Sequence, residues 1–276
     1  MTWRKVDCGR TFDDQREPLL RELEPAKGLR ETLVFVPGFH TSDYEEKDLR
    51  RWCSAFRRAG WHGRICHLWW DSGVERGGVM GLADAIDWVR VNDRARETGE
   101  RWGPALLCLA SRRGRVTVVA HSLGASLAYH ALAAMPPGNR VLDVVLLAAA
   151  VSADSGMDWA GIAEKIRGRL YNLYSQEDES LGLRFRIGQA IRFRWREAAG
   201  RKGILRRQSH SGILNMDATA LIGTGHTTGY LHHLGEILGD VLWRRRWRRT
   251  VVTRALACSL AIAASLLAAL GVIPLP

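Results

Sequence analysis

Short apolar runs alternate with longer segments of helical period along most of this chain. Thr32–Val36 is a β-rich run that stops at Pro37-Gly38, so it predicts a buried strand. A helix through Phe56 follows, with Asp43 or Ser42 available as its cap. Ile65–Trp70 predicts a second strand, closed by Asp71-Ser72-Gly73. Helical stretches are expected from about Val79 to Glu97 and from about Pro104 to Ser111. Val116–Ala120 then gives a strand, Gly124 opens a helix that ends at Pro136-Pro137-Gly138, and Val141–Ala149 gives another strand. Asp158–Arg167 predicts a helix, Leu170–Tyr174 a strand, and Ile213–Ile222 a further strand-like run. Leu231, Leu234, Leu238 and Val241 share one helical face. Strands alternating with helices predict a mostly parallel central sheet covered on both faces. The chain shows no internal repeat.

Two segments break the rhythm. Leu181–Arg207 interleaves Leu183, Phe185, Ile187, Ile191, Phe193 and Trp195 with Arg184, Arg186, Arg192, Arg194 and Arg196, as an amphipathic insertion would. At the other break, Ala255–Ile273 carries no charged residue. At about 1.5 Å per residue, a helix of that length nearly crosses a hydrocarbon core of roughly 30 Å. Trp243-Arg244-Arg245-Arg246-Trp247-Arg248-Arg249 precedes it and combines interfacial tryptophan with positive charge. The expected reading is a single C-terminal membrane pass with the rest of the chain on the cytoplasmic side. The competing reading is an alanine-rich helix packed on protein. The expected organisation is an N-terminal extension over 1–30, an α/β domain over 31–242 with a cap-like insertion at 181–207, and the basic segment and tail over 243–276.

Composition adds a charge argument. The 276 residues are 46% hydrophobic and 25% charged, ordinary for a globular protein, but the formal net charge is +11. Arginine is concentrated between Arg184 and Arg207 and between Arg244 and Arg254, which points to an anionic partner or to a plain compositional bias. With no nucleic-acid-binding motif in the chain, an acidic membrane surface is the expected partner, and nucleic acid is not. Cys8, Cys53, Cys66, Cys108 and Cys258 are widely spaced with no Cys-x-x-Cys pair, so neither a disulfide framework nor a zinc site is expected, and a reducing compartment is. Met1–Asp14 lacks the apolar stretch of a secretory signal.

The candidate chemistry centres on Ala120-His121-Ser122-Leu123-Gly124, a serine at a sharp turn between a strand and a helix. The usual pattern is Gly-x-Ser-x-Gly, and Ala120 keeps the first position small. A serine hydroxyl is a weak nucleophile unless a histidine takes its proton and a carboxylate orients that histidine. His226 fits the base: it sits in a glycine-flanked loop, Gly223-Thr224-Gly225-His226, after the last strand-like run and before the last helix. His121 adjoins the serine, but its side chain is expected to point elsewhere. Asp178, in the loop after Leu170–Tyr174, is the expected acid, with Glu177 and Asp154 as rivals. An oxyanion needs backbone N–H donors; Leu123, which follows the serine, and Phe39, at the end of the first strand, are the expected pair.

These pieces resemble an α/β-hydrolase, and more closely the poorly characterised family of transmembrane and coiled-coil-domain hydrolase-like proteins. The matching segments are Val36-Pro37-Gly38-Phe39, Leu68–Ser72, Val119–Gly124, Asp143–Leu147, Asn172–Asp178, Asn215-Met216-Asp217, Gly225-His226 and Tyr230, spread over roughly residues 32–240. The resemblance implies an α/β-hydrolase fold and Ser122, Asp178 and His226 as a triad. Two departures stand out: Ala120 in place of glycine, and membrane segments that lie elsewhere in those relatives. The insertion at 181–207 falls between acid and base, where such hydrolases often carry a cap. The expected function is a membrane-associated serine esterase or lipase acting on a lipid-like ester, with no metal or organic cofactor. Acyl transfer through the same acyl-enzyme and a non-catalytic scaffold on anionic membrane are the alternatives. Deleting residues 250–276 is expected to move the protein from the membrane pellet to the soluble fraction. A full-length protein that is already soluble without detergent would exclude the anchor.

Overall fold

In the computed structural model, the described residues are 18–26, 31–39, 45–72, 82–136, 138, 141–154, 157–191, 196–205 and 210–239. They form one seven-stranded sheet. Its strands are β1 (Leu19–Glu24), β2 (Glu31–Val36), β3 (Arg64–Trp69), β4 (Arg115–His121), β5 (Val141–Leu147), β6 (Leu170–Tyr174) and β7 (Ile213–Asp217). Their spatial order is β1-β3-β2-β4-β5-β6-β7. Strand β1 runs antiparallel to β3, and every other neighbouring pair is parallel. Strands β2, β4 and β5 are buried almost end to end, because a central parallel strand is covered on both faces. Their continuous Val/Leu/Phe runs follow from that.

The order of the strands fixes where the helices lie. From β2 the chain passes through α1 (Glu45–Arg58) to β3 on one side, then through α2 (Leu82–Ser111) to β4 on the other. Both crossovers join parallel strands, and because such connections are right-handed, reversing direction puts α1 and α2 on opposite faces. The helix α3 (Gly124–Ala134), between β4 and β5, continues the second direction and packs along α2. The last helix, α8 (Thr228–Leu238), packs against α1 on the first face. The reversal falls between β2 and β4, and open α/β sheets in general bind ligands beyond the carboxyl ends of the strands at such a point.

The structure departs from the expected elements in five places. Residues 19–24, assigned above to an extension, form the antiparallel edge strand of the sheet, pairing Leu19 with Trp69 and Leu20 with Leu68. The two helices expected over 79–111 are one helix that continues through Pro104. Its middle is held by close packing, since a Cβ on Gly99 would press on the Leu127 carbonyl and one on Gly103 on the Ala131 side chain. Strand β5 stops at Leu147 because Ala148 adopts φ 47°. The run expected as a strand to Ile222 is β7 to Asp217 followed by a helical turn, α7 (Thr219–Ile222). The helix expected over Asp158–Arg167 is shorter, α4 (Trp159–Lys165), capped by the Asp158 carboxylate, which accepts the Gly161 N–H at 2.8 Å.

The insertion after β6 begins with a π-helical turn, Leu181–Phe185, that runs into α5 (Arg186–Ile191); α6 (Ala199–Lys202) follows after residues outside the described set. Phe185 packs edge-on against Trp88 of α2 at 5.7 Å between ring centres. Asn172 of β6 donates to the Ala199 carbonyl, and Asn215 of β7 bonds both the N–H and the C=O of Ile204. These asparagines tie the returning limb of the insertion to the sheet. The expected caps Ser42 and Asp43, the residues before Pro18 and the expected membrane tail lie outside the described residues. Among the described residues no helix is long and apolar enough to cross a membrane.

The contact between α2 and α3 leads to a stability prediction. Gly103→Ala gains about 1 kcal/mol in helix propensity but forces a methyl into Ala131 of a facing backbone, which costs about 1–3 kcal/mol. Net destabilisation of up to about 2 kcal/mol is expected in urea unfolding, and Gly103→Ala with Ala131→Gly should recover most of it. A single variant more stable than wild type would refute the close packing.

Candidate active site

Ser122 follows the last residue of β4 with φ 53°, a left-handed conformation that costs a residue with a Cβ about 1–3 kcal/mol. The surrounding backbone holds it there. Its N–H donates to the Leu147 carbonyl at 3.0 Å, and its own carbonyl accepts from Ala125 and from Ala150, each at 3.1 Å. The small neighbours have steric causes. A Cβ on Gly124 would strike the carbonyl oxygens of Val36 and Pro37, and one on Gly38 would come within 2.6 Å of the Ser122 Cβ. Ala120 is fully buried between Val36 and Leu146, where its methyl is accommodated.

The structure brings Ser122, His226 and Asp178 together. His226 Nε2 lies 2.9 Å from Ser122 Oγ, and its Nδ1 lies 2.7 Å from Asp178 Oδ2. Asp178 is completely buried in the loop after β6. Its Oδ1 accepts the Leu181 N–H at 2.9 Å, which fixes the carboxylate and aims Oδ2 at the imidazole. The loop carrying His226 is tied to the loop after β6 by Ser175, whose hydroxyl donates to the Gly223 carbonyl at 2.6 Å. A carboxylate on Nδ1 keeps the proton there, so Nε2 faces the serine as an acceptor. In general such a set can deprotonate the hydroxyl as it attacks a carbonyl and return the proton to a leaving group.

The rivals lie otherwise. Asp154 accepts the Ser152 hydroxyl at 2.5 Å and pairs with Arg196 at 3.6 Å. Glu177 is exposed. Two further histidines of the C-terminal half are engaged away from Ser122: His210 accepts from the Gly212 N–H, and His233 pairs with Glu236. Leu123 is buried at the start of α3, where the first N–H groups of a helix have no partner within it. Phe39 follows Gly38, which is packed on Ser122. The loop is held from behind by Trp70, whose indole N–H donates to the Pro37 carbonyl at 2.9 Å. Among the described residues no cluster of His, Cys, Asp and Glu could hold a metal ion.

One residue was misread from the sequence. The His121 side chain does not point away from the site. Its Nε2 lies 3.1 Å from the His226 carbonyl oxygen, and its ring is 5.1 Å from the His226 ring, 5.3 Å from Trp52 and 6.5 Å from Tyr230. A carbonyl only accepts, so His121 Nε2 carries the proton. Burial, reinforced by the neighbouring His226, pushes the His121 pKa down to about 3. The imidazole is therefore neutral at physiological pH. Trp52 and Tyr230 are separated from His121 by long stretches of chain, and no local pattern announces the contact.

A family model described as "Protein of unknown function (DUF726)" matches residues 78–244. An uncharacterised membrane protein of Caenorhabditis elegans is 30% identical over 169 residues, covering 59% of this chain and 26% of that protein. A transmembrane and coiled-coil domain-containing protein of Oryza sativa subsp. japonica is 31% identical over 166 residues, covering 58% of this chain and 23% of that one. The chain thus spans about a quarter of the length of these curated relatives. Among solved structures, a putative alpha/beta hydrolase of unknown function from Agrobacterium tumefaciens aligns over 83% of this chain and 91% of its own, at 14% identity and a TM-score of 0.45. An α/β serine hydrolase without a lid from Xanthomonas campestris aligns over 83% and 88%, at 13% identity and a TM-score of 0.42.

A neutral buried histidine makes stability depend on pH. His121 binds no proton in the folded protein until pH nears 3, whereas unfolding releases it to titrate near 6.5. Between these values the unfolded state holds more protons, so this contribution falls as pH drops from about 6.5 towards 3. In urea unfolding the stability gap between wild type and His121→Gln should move against wild type between pH 7 and pH 4. A gap that is constant with pH would exclude a neutral His121.

Proposed function

The chain belongs to the family described as "Protein of unknown function (DUF726)", and from the environment of Ser122 we propose that this member is a serine hydrolase of carboxylic esters. The observation that carries the reading is the continuous line from buried carboxylate to imidazole to a strained serine hydroxyl, at 2.7 and 2.9 Å. In this reading Ser122 Oγ attacks the acyl carbonyl while His226 Nε2 takes its proton. The resulting imidazolium is stabilised by Asp178 and hands the proton to the departing alkoxide. Water then repeats the sequence on the acyl-enzyme, releasing the acid and restoring the serine. The Leu123 and Phe39 N–H groups receive the oxyanion. Loss of one such donor typically costs about 3–4 kcal/mol of transition-state stabilisation. The protein's own groups suffice for each step, so the proposal includes no cofactor.

The substrate reading is a lipid-like or long-chain ester met at an anionic membrane. The insertion over 181–207 carries nine basic residues and one acidic residue. Three of the four large apolar side chains exposed among the described residues, Leu183, Ile187 and Leu205, also lie in it. Basic residues near an anionic surface contribute about 1 kcal/mol each, and the apolar side chains add burial in the interface. The C-terminal tail would anchor the chain in the same membrane with the hydrolase domain, here extended to include β1, on the cytoplasmic side. Both curated relatives carry membrane or transmembrane in their descriptions, in line with this reading.

The test combines a fluorophosphonate probe with ester hydrolysis. Wild type should label at Ser122 and release acid from esters in anionic vesicles faster than from short soluble esters. Ser122→Ala should lose labelling and lower turnover on the order of 10⁵-fold. A wild type that never labels would overturn the hydrolase reading. Equal or faster turnover of soluble esters, with no stimulation by vesicles, would overturn the lipid substrate.

A further inference from the structure

We propose that His121 is a positioning residue that fixes the ring plane of His226 by donating a hydrogen bond to its backbone carbonyl. Two consecutive residues of the elbow grip His226 at opposite ends. Ser122 Oγ meets the ring at Nε2, and His121 Nε2 meets the main chain at 3.1 Å. The need for the second grip is geometric. Asp178 and Ser122 bond the two ring nitrogens, which lie nearly on one line across the imidazole. Two contacts on a line leave rotation about that line free, and the bonds that tie the preceding loop, Ser175 to the Gly223 carbonyl and the Gly225 N–H to the Ile222 carbonyl, do not reach His226 itself. A third contact off the line removes that rotation.

His121 is itself held rigidly enough to serve as that contact. Its ring is buried, Trp52 of α1 lies against it, and Tyr230 of α8 closes another side. The Tyr230 hydroxyl donates to the Leu173 carbonyl in β6, the strand whose following loop carries Asp178. The clamp on the base therefore refers back to the same strand ends that carry the acid and the serine. Charge also explains the residue type. A lysine or arginine could donate the same bond, but its fixed charge would repel the imidazolium that forms on His226 about 5 Å away. A buried, uncharged imidazole donates without that penalty.

The kinetic consequence rests on the hydrolase reading; the contact itself does not. The experiment compares His121→Phe, which keeps the aromatic packing without a donor, with His121→Gln, whose amide reaches the position of Nε2, and His121→Asn, whose amide falls short. Phe and Asn should each lower kcat by about 10–100-fold with KM unchanged, as expected for a misaligned base, while Gln stays within about threefold. In parallel, proton NMR of each variant follows the downfield Nδ1–H resonance of His226 bonded to Asp178. That signal should persist in wild type and Gln and broaden in Phe and Asn. If Phe does not fold, the Gln and Asn pair decides. Wild-type kcat and an unchanged resonance in Phe or Asn would overturn the proposal, as would a Gln variant as impaired as those two. Should wild type show no esterase activity, the hydrolase reading fails and the resonance alone decides the positioning role.

Discussion

A serine backbone held at φ 53° between a central strand and the following helix is the constraint on which the remaining geometry depends. The turn can be this sharp only because β2 and β4 are adjacent and their ends nearly touch. Gly38 packs on the serine, and Gly124 lies under the carbonyls of Val36 and Pro37. The energy stored in one unfavourable torsion is small beside the burial of β2, β4 and β5, whose apolar side chains contribute about 1.5–3 kcal/mol each. The sheet can therefore maintain the strain. In return the hydroxyl stands clear of the strand, at the rim where the chain reverses direction.

From that point the site is assembled by topology. Strand β6 is two places from β4 in the sheet, so the loop after it reaches the same rim and delivers a buried carboxylate. The chain then detours through the insertion, returns as β7 and delivers His226 just before α8 closes on α1. Each group is held by contacts outside the Asp178–His226–Ser122 line: Leu181 N–H on Asp178, Ser175 on Gly223, His121 on the His226 carbonyl. The insertion lies between acid and base in sequence and is bound to β6 and β7 by Asn172 and Asn215. Exposed Arg186, Leu183, Ile187 and Leu205 are thereby attached to the strands that lead to Asp178 and His226. This arrangement couples the proposed membrane contact to the proposed chemistry.

Much of this was legible in the sequence where the signal is local. Val116–Ala120 reads as a buried strand because a parallel central strand has no polar face, and the following Ser-x-Gly identifies the turn. The strand and loop order brought Asp178 and His226 into consideration, and the structure brings both to Ser122. Misreadings occurred where the cause is remote. Pro104 reads as a break, yet the packing of Gly99 and Gly103 against α3 holds the helix through it. Residues 19–24 read as an extension because an edge strand is only partly buried and its pattern is weak. The residues around the turn do not give the direction of the His121 ring, because Trp52 and Tyr230, remote in the chain, decide where it goes.

The sequence by itself determined the alternation of strands and helices, the elbow with its small neighbours, and the short list of side chains able to act as base and acid. Periodicity, glycine sterics and side-chain chemistry act over a few residues and are written directly in the order of the chain. Only the tertiary structure decided which carboxylate faces the imidazole, that β1 completes the sheet, and that His121 turns inward to hold the residue its neighbour bonds. Those outcomes depend on distances between residues that are about 40 to 110 positions apart in the chain, and such distances are set by which strands lie side by side and which faces the helices bury.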